Sequence, residues 1–169
     1  MGRRNYLVEG VSGTGKTSVC DELQRRGHQA IHGDRELAYQ GDPATGAEVA
    51  TGSHEHHLWR VDSVRALAAD QHEAATFFCG GSRNFSAFID LFDVVFVLEV
   101  DLETLRRRLD QRPGNEFGGR PSEREFIERL RASGVDTPDG IVINATAPVA
   151  SVVDDLLQRA ALERYTRNN

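Results

Sequence analysis

Lys16 is the only lysine in a chain of 169 residues, and it sits inside Gly10-Val-Ser-Gly-Thr-Gly-Lys-Thr17. That octapeptide satisfies G-x-x-x-x-G-K-[ST] at every fixed position, the pattern of a loop that cradles phosphate. Glycines at 10, 13 and 15 permit backbone conformations and close approaches that a Cβ obstructs, so successive N–H groups can converge on phosphate oxygens. An ammonium is a compact point charge suited to a tight loop, whereas a guanidinium is a bulky planar fork. Every other Lys/Arg position is arginine, a bias that genome composition alone can produce, yet position 16 has escaped it. The expected roles follow. Ser12, Gly13, Thr14, Gly15 and Ser18 line the phosphates, Lys16 bridges the β- and γ-phosphates, and the Thr17 hydroxyl meets magnesium. The plainer alternative is a glycine-rich turn entering a helix.

Other residues suggest what such a loop would serve. Asp34, in His32-Gly-Asp-Arg-Glu-Leu37, follows a short apolar run. A carboxylate there can bind an acceptor hydroxyl, orient it for attack, or meet magnesium through water. It can equally cap a helix starting at Arg35. Arg106, Arg107, Arg108 and Arg112 crowd the end of a helical stretch before Pro113, and a spacing of four puts Arg108 and Arg112 on one face. Aimed guanidinium groups suit the charge that spreads over a transferring phosphoryl group. The same arginines can instead pair with Glu103, Asp110 or Glu116 on a solvated surface. His54, His56 and His57 lack a persuasive further zinc ligand and read as exposed residues at a helix start. Trp59 reads as packing rather than as a stacking platform. Cys79-Gly80 ends the third strand where many phosphate-loop enzymes place an acid, so the metal's water shell falls to Asp34 or to no visible residue; neither Asp93 nor Glu99 is assigned to metal.

Positioning these groups requires a regular scaffold. Apolar runs at 5–8, 29–33, 75–79, 94–100 and 141–143 read as strands, alternating with helical stretches at 16–26, 55–70, 84–91, 102–111, 122–132 and 148–164. Such alternation predicts an α/β fold: a parallel sheet between helical layers, with ligands at the carboxyl ends of the strands. Segments 41–52 and 113–121, rich in small and turn-forming residues, read as flaps. With 39% hydrophobic residues the chain supports one core, hence a single domain over 1–169. A net charge of −6 argues against a nucleic-acid or anionic-membrane partner. Cys20 and Cys79 lack metal-ligand spacing, and neither a secretory leader nor a long apolar run is visible, so a cytoplasmic protein, monomer or homodimer, is expected.

Taken together, "GVSGTGKT", "HGDREL", "FFCGGSRN", "RRRLDQRPGNEFGGRP" and "INATAPV" resemble the small P-loop kinases related to adenylate, shikimate and gluconate kinases. The likeness is greatest to an actinobacterial subgroup labelled nucleoside-kinase-like. It covers nearly the whole chain, although only the first segment is specific by itself. The resemblance implies a three-layer α/β/α fold with five parallel strands in the order 2-3-1-4-5, an acceptor-side flap at about 35–72 and a mobile lid at about 112–122. It implies ATP and Mg2+ as cofactors, with GTP left open, and a small-molecule phosphoryl acceptor, a nucleoside or nucleotide. Arg108 would lie beside adenine or the phosphates and Arg112 would clamp the transferred group, with Arg120 arriving from the far side of the lid. Gly80 and Gly81 would let the acceptor approach backbone, Arg83 would hold an acceptor phosphate or carboxylate, and Ala145 and Thr146 would border the base. The competing reading is a nucleotide-binding regulatory module or slow NTPase with a macromolecular partner.

Overall fold

The computed structural model describes residues 4–167. Its scaffold is a five-stranded, wholly parallel sheet built from β1 (Arg4–Glu9), β2 (Gln29–His32), β5 (Ala75–Cys79), β6 (Val94–Glu99) and β7 (Ile141–Asn144), in the spatial order β2-β5-β1-β6-β7. Counted along these five strands alone, that is the expected 2-3-1-4-5. Phosphate-loop residues therefore leave the central strand, while Asp34 follows the edge strand two places away.

The strands are short, rich in β-branched and aromatic residues, and almost continuously apolar because both faces are covered. Successive side chains go to opposite faces. Tyr6, Val8, Phe77, Cys79, Phe96 and Leu98 join one core cluster, whereas Leu7, Ile31 and Phe78 join the other. The first cluster packs α1 (Lys16–Arg25), α4 (Leu102–Asp110), α5 (Pro121–Ser133) and α6 (Val149–Arg167) through Val19, Leu23, Leu105, Leu109, Ile127, Val153 and Leu156. The second packs α3 (Val61–Ala69) through Val64, with Leu37 directly after α2 (Gly33–Glu36), Trp59, Phe88 and Phe92. Each fully buried side chain of this size contributes about 2 kcal/mol, so the two clusters hold the three layers together. Cys20 and Cys79, isolated in the sequence, meet in the first cluster as buried free thiols.

Helix ends follow local chemistry. Gly15, in the left-handed region at φ 101°, precedes α1, and no side chain caps that end. Pro121 opens α5, where its missing N–H costs nothing, and Gly134 at φ 64° closes it.

Two expectations fail. The stretch 55–70 is not one helix: a 3-10 turn at His54–His56 leads into β4 (His57–Trp59), and α3 starts only at Val61. β4 pairs antiparallel with β3 (Ala38–Gln40) in a separate two-stranded sheet. Trp59 reads as helical because its apolar neighbours recur at helical spacing, but its indole is fully buried, stacked 5.7 Å from Phe88. The stretch 84–91 forms two 3-10 turns, Phe85–Ala87 and Ile89–Leu91. Among the described residues no helix is long and apolar enough to cross a membrane.

Candidate active site

The loop from Gly10 to Gly15 turns the chain from β1 into α1 using three glycines at positive φ: 152°, 95° and 101°. A Cβ at Gly10 would lie 2.6 Å from Thr14 Oγ1 and 2.8 Å from the Leu98 carbonyl, so the loop cannot close around any larger residue there. Thr14 Oγ1 donates to the Val11 carbonyl at 2.8 Å and stiffens the turn. Lys16 Nζ donates to the carbonyls of Gly10 and Val11, which folds its ammonium back over the loop mouth. Burial lowers the Lys16 pKa, and the carboxylates of Glu9 and Asp34 oppose that shift. The uncapped amino end of α1, free of acidic side chains in its first turn, adds its positive dipole. Together these features fit a polyphosphate, and Thr17, exposed one residue beyond Lys16, offers its hydroxyl to a cation. Among the described residues no cluster of three or more His, Cys, Asp and Glu forms a metal-holding group.

Two cavities meet over this loop. The smaller, about 460 Å³, is lined by residues 12–19, Arg108, Arg112 and Ala145. Arg108 Nη2 donates to the Ala145 carbonyl at 2.9 Å and Nη1 to the Thr14 carbonyl at 3.2 Å, tying α4 to the phosphate loop and to the loop after β7. Arg112 Nη1 donates to Ser12 Oγ at 2.7 Å and to the Phe117 carbonyl at 2.6 Å. Burial lowers the pKa of both guanidinium groups. Arg120 is exposed and donates through Nε to the Gly114 carbonyl within its own loop, away from the other two. Thr146 is not brought into the lining of this cavity; its hydroxyl donates to Asp101 Oδ2 at 3.3 Å.

The larger cavity, about 1050 Å³, lies on the β2 side, lined by Asp34, His54, His57, Gly81, Arg83, Phe117, Phe126 and Asp136 among others. Asp34 caps nothing. Its Oδ1 accepts from the Gly81 N–H at 3.2 Å and lies 3.1 Å from His57 Nε2. Burial would raise its pKa, but the His57 hydrogen bond and the Lys16 charge win, leaving it below the usual carboxylate value. Gly80 and Gly81 are both tightly enclosed: a Cβ on Gly80 would meet Trp59 at 2.7 Å and Asp34 Oδ1 at 2.8 Å, and one on Gly81 would meet Glu9 Oε1 at 2.4 Å. Arg83 does not stand free. Its Nη1 lies 2.7 Å from Asp136 Oδ1, and the second oxygen, Oδ2, lies 2.7 Å from His54 Nε2.

Several of these partners escape sequence reasoning. His54 and His57 are half-buried and bound to Asp136 and Asp34, not displayed to solvent at a helix start. Asp136 sits 53 residues from Arg83, and no local spacing links them. Glu9 is detectable as an acid directly after the apolar run Tyr6-Leu7-Val8. It is only 2% exposed, accepts the Gly10 N–H at 3.1 Å, and has its pKa raised to about 7 by burial against the opposing pull of Lys16.

Comparison with known proteins agrees with this layout. Three solved structures share the fold. A sugar kinase from a Janibacter species is 20% identical, with 92% of this chain and 93% of that one covered at a TM-score of 0.57. A gluconokinase from Sinorhizobium meliloti is 19% identical, with 98% of each chain covered at 0.58. A shikimate kinase from Bacteroides thetaiotaomicron is 17% identical, with 94% and 98% covered at 0.62. No curated protein matches the chain. The AAA domain family matches residues 7–137, from the central strand through the phosphate loop and the larger cavity's lining, and the chain belongs to that family, in the architecture of the small P-loop kinases.

Proposed function

We propose that this protein transfers the γ-phosphoryl group of ATP to a hydroxyl of a small molecule, a nucleoside or nucleotide. The observation that carries this reading is the junction of the two cavities: Ser12, Lys16 and Asp34 line both. A phosphate-gripping ammonium and a hydroxyl-orienting carboxylate thus face one another across a shared opening, as in-line displacement requires.

In this reading the triphosphate lies along the N–H groups of residues 13–18, with Lys16 moving from the Gly10 and Val11 carbonyls onto phosphate oxygens. Asp34 accepts the acceptor's hydroxyl hydrogen bond, holding an oxygen lone pair toward phosphorus. The acceptor O–P bond forms as the bond to the β–γ bridging oxygen breaks, and Asp34 passes the hydroxyl proton to solvent. Arg112 stabilises charge on the equatorial oxygens. Magnesium, held in part by Thr17, supplies further charge neutralisation when bound. Closure of the 112–122 segment excludes water and limits wasteful hydrolysis. Kinase names on all three solved structures support the class of reaction, and the unpaired α1 amino end supports the donor.

The test is a screen of nucleosides, nucleotides and small polyols with ATP and Mg2+, scored by phosphorylated product, with Lys16→Ala as control. Transfer to at least one acceptor is expected from the native chain. Lys16→Ala should lose it at least about 100-fold while melting as the native protein does, because Lys16 Nζ bonds only to loop carbonyls. ATP binding without any acceptor-dependent turnover would favour the regulatory module.

A further inference from the structure

We infer that the acceptor is an uncharged, ring-bearing hydroxyl compound, a nucleoside in the language of the reading above, and that acceptors carrying a carboxylate or phosphate are disfavoured because Arg83, the one arginine among the described residues lining the acceptor cavity, already has its charge neutralised by Asp136. The inference rests on the kinase reading and narrows it.

The cavity's charges point this way. Its fully charged lining residues are Lys16 and Arg83 on one side and Asp34, Glu55, Glu123 and Asp136 on the other. Lys16 belongs to the phosphate loop. Arg83, only 12% exposed, has Nη1 on Asp136 Oδ1 at 2.7 Å and on the Asp136 carbonyl at 3.1 Å. The other Asp136 oxygen is held by His54, so the carboxylate is fixed from both sides. Asp136 engages Arg83 through Nη1 alone, and the buried Nε has no hydrogen-bond partner among the described residues, so an anionic acceptor that reached the guanidinium would share a charge Asp136 already neutralises and would stand against the Asp136 carboxylate itself. It would also approach Asp34, a second carboxylate. An uncharged hydroxyl compound meets neither obstacle, since Asp34 accepts its hydrogen bond directly.

One stretch of the remaining wall is aromatic, beside the apolar side chains of Ile127 and Leu130. His54 stacks on Phe117 with centroids 5.7 Å apart and meets the edge of Phe126 at 5.1 Å. Phe117 is 40% exposed and lines the cavity from the loop between α4 and α5. Such a wall suits a flat ring better than an open-chain acid.

The experiment uses matched cyclic acceptors differing by one anionic group: a nucleoside against its monophosphate, a sugar against its uronic acid, and a cyclic hydroxy acid against its methyl ester. Initial rates with ATP and Mg2+ are measured alongside binding to the ADP-loaded protein. Binding is read from the emission of Trp59, the only tryptophan, whose indole lies where a Cβ on Gly80 would touch both it and Asp34. The neutral member should win in kcat/KM or affinity by at least about tenfold. In Asp136→Asn, Arg83 is released and the preference should shrink by a similar factor, with melting checked against the native chain. A better anionic member, or a folded Asp136→Asn with the native preference, overturns the inference while leaving the kinase reading intact. Failure of every compound to bind or react would overturn both. If the variant does not fold, the native preference alone decides.

Discussion

Glu9→Gln separates the cost of a buried acid from its structural role. In the folded chain the Glu9 pKa stands at about 7, against 4.5 for an ordinary glutamate, with burial as the cause. Between those values the folded state keeps a proton that the unfolded chain has released. The unfolded state therefore gains with rising pH, and stability falls across that window and levels off above the folded pKa. Each pH unit of separation corresponds to about 1.4 kcal/mol, giving a ceiling of about 3 kcal/mol lost by pH 8 relative to pH 4. Glutamine retains an oxygen for the Gly10 N–H and cannot ionise. Its second amide hydrogen needs a partner, which removes about 1 kcal/mol from the gain. The variant should thus be about 2 kcal/mol more stable than the native chain at pH 8 and no more stable at pH 4. Urea midpoints across this pH range provide the measurement. Parallel stability curves for the two chains would refute a raised Glu9 pKa, and with it the sealed environment assigned to β1's carboxyl end.

Arg112→Ala removes a guanidinium that touches Ser12 and the Phe117 carbonyl but no core residue. Turnover should fall about 100-fold or more with ATP affinity changed less than about threefold; steady-state kinetics beside nucleotide titration would show it, and unchanged turnover removes Arg112 from the chemistry. Gly33→Ala places a methyl 2.1 Å from Trp59 Cζ2, inside a fully buried ring with no space to retreat. A loss of about 3 kcal/mol is expected in chemical denaturation, and a neutral result would show that the Trp59 pocket is looser than the structure has it.

Much of the donor half was legible in the sequence because its signals are local. A strand, three glycines, one lysine and a helix follow one another between Arg4 and Arg25, and each element carries its own period. Strand order came from resemblance, not from spacing. The acceptor half was harder for physical reasons. A three-residue strand such as His57–Trp59 is too short to show alternation, and its two buried residues in a row match a helix as well as a strand. The Arg83–Asp136 and Asp34–His57 pairs join segments far apart in the chain, so no local pattern announces them, and the resemblance that offered Arg83 as a holder of an acceptor phosphate or carboxylate carried no sign of Asp136 beside it. Segment 113–121 stands out in the sequence by its glycines and prolines, but the tie from Arg112 to Ser12 depends on how α4 lies over the phosphate loop, which only packing determines.

The position of β5 between β1 and β2 has a consequence for what the larger cavity can accept. Neighbouring strands lie about 4.8 Å apart, so the groups leaving β1 and β2 stand on foundations about 10 Å apart, with Gly80 and Gly81 forming the ground between them. That floor is set by backbone pairing and has no side chains to trim. Room for a bulkier guest must therefore come from above, in the loop bearing Phe117 and the hairpin bearing His57, and evolution toward new guests would leave its mark on the roof.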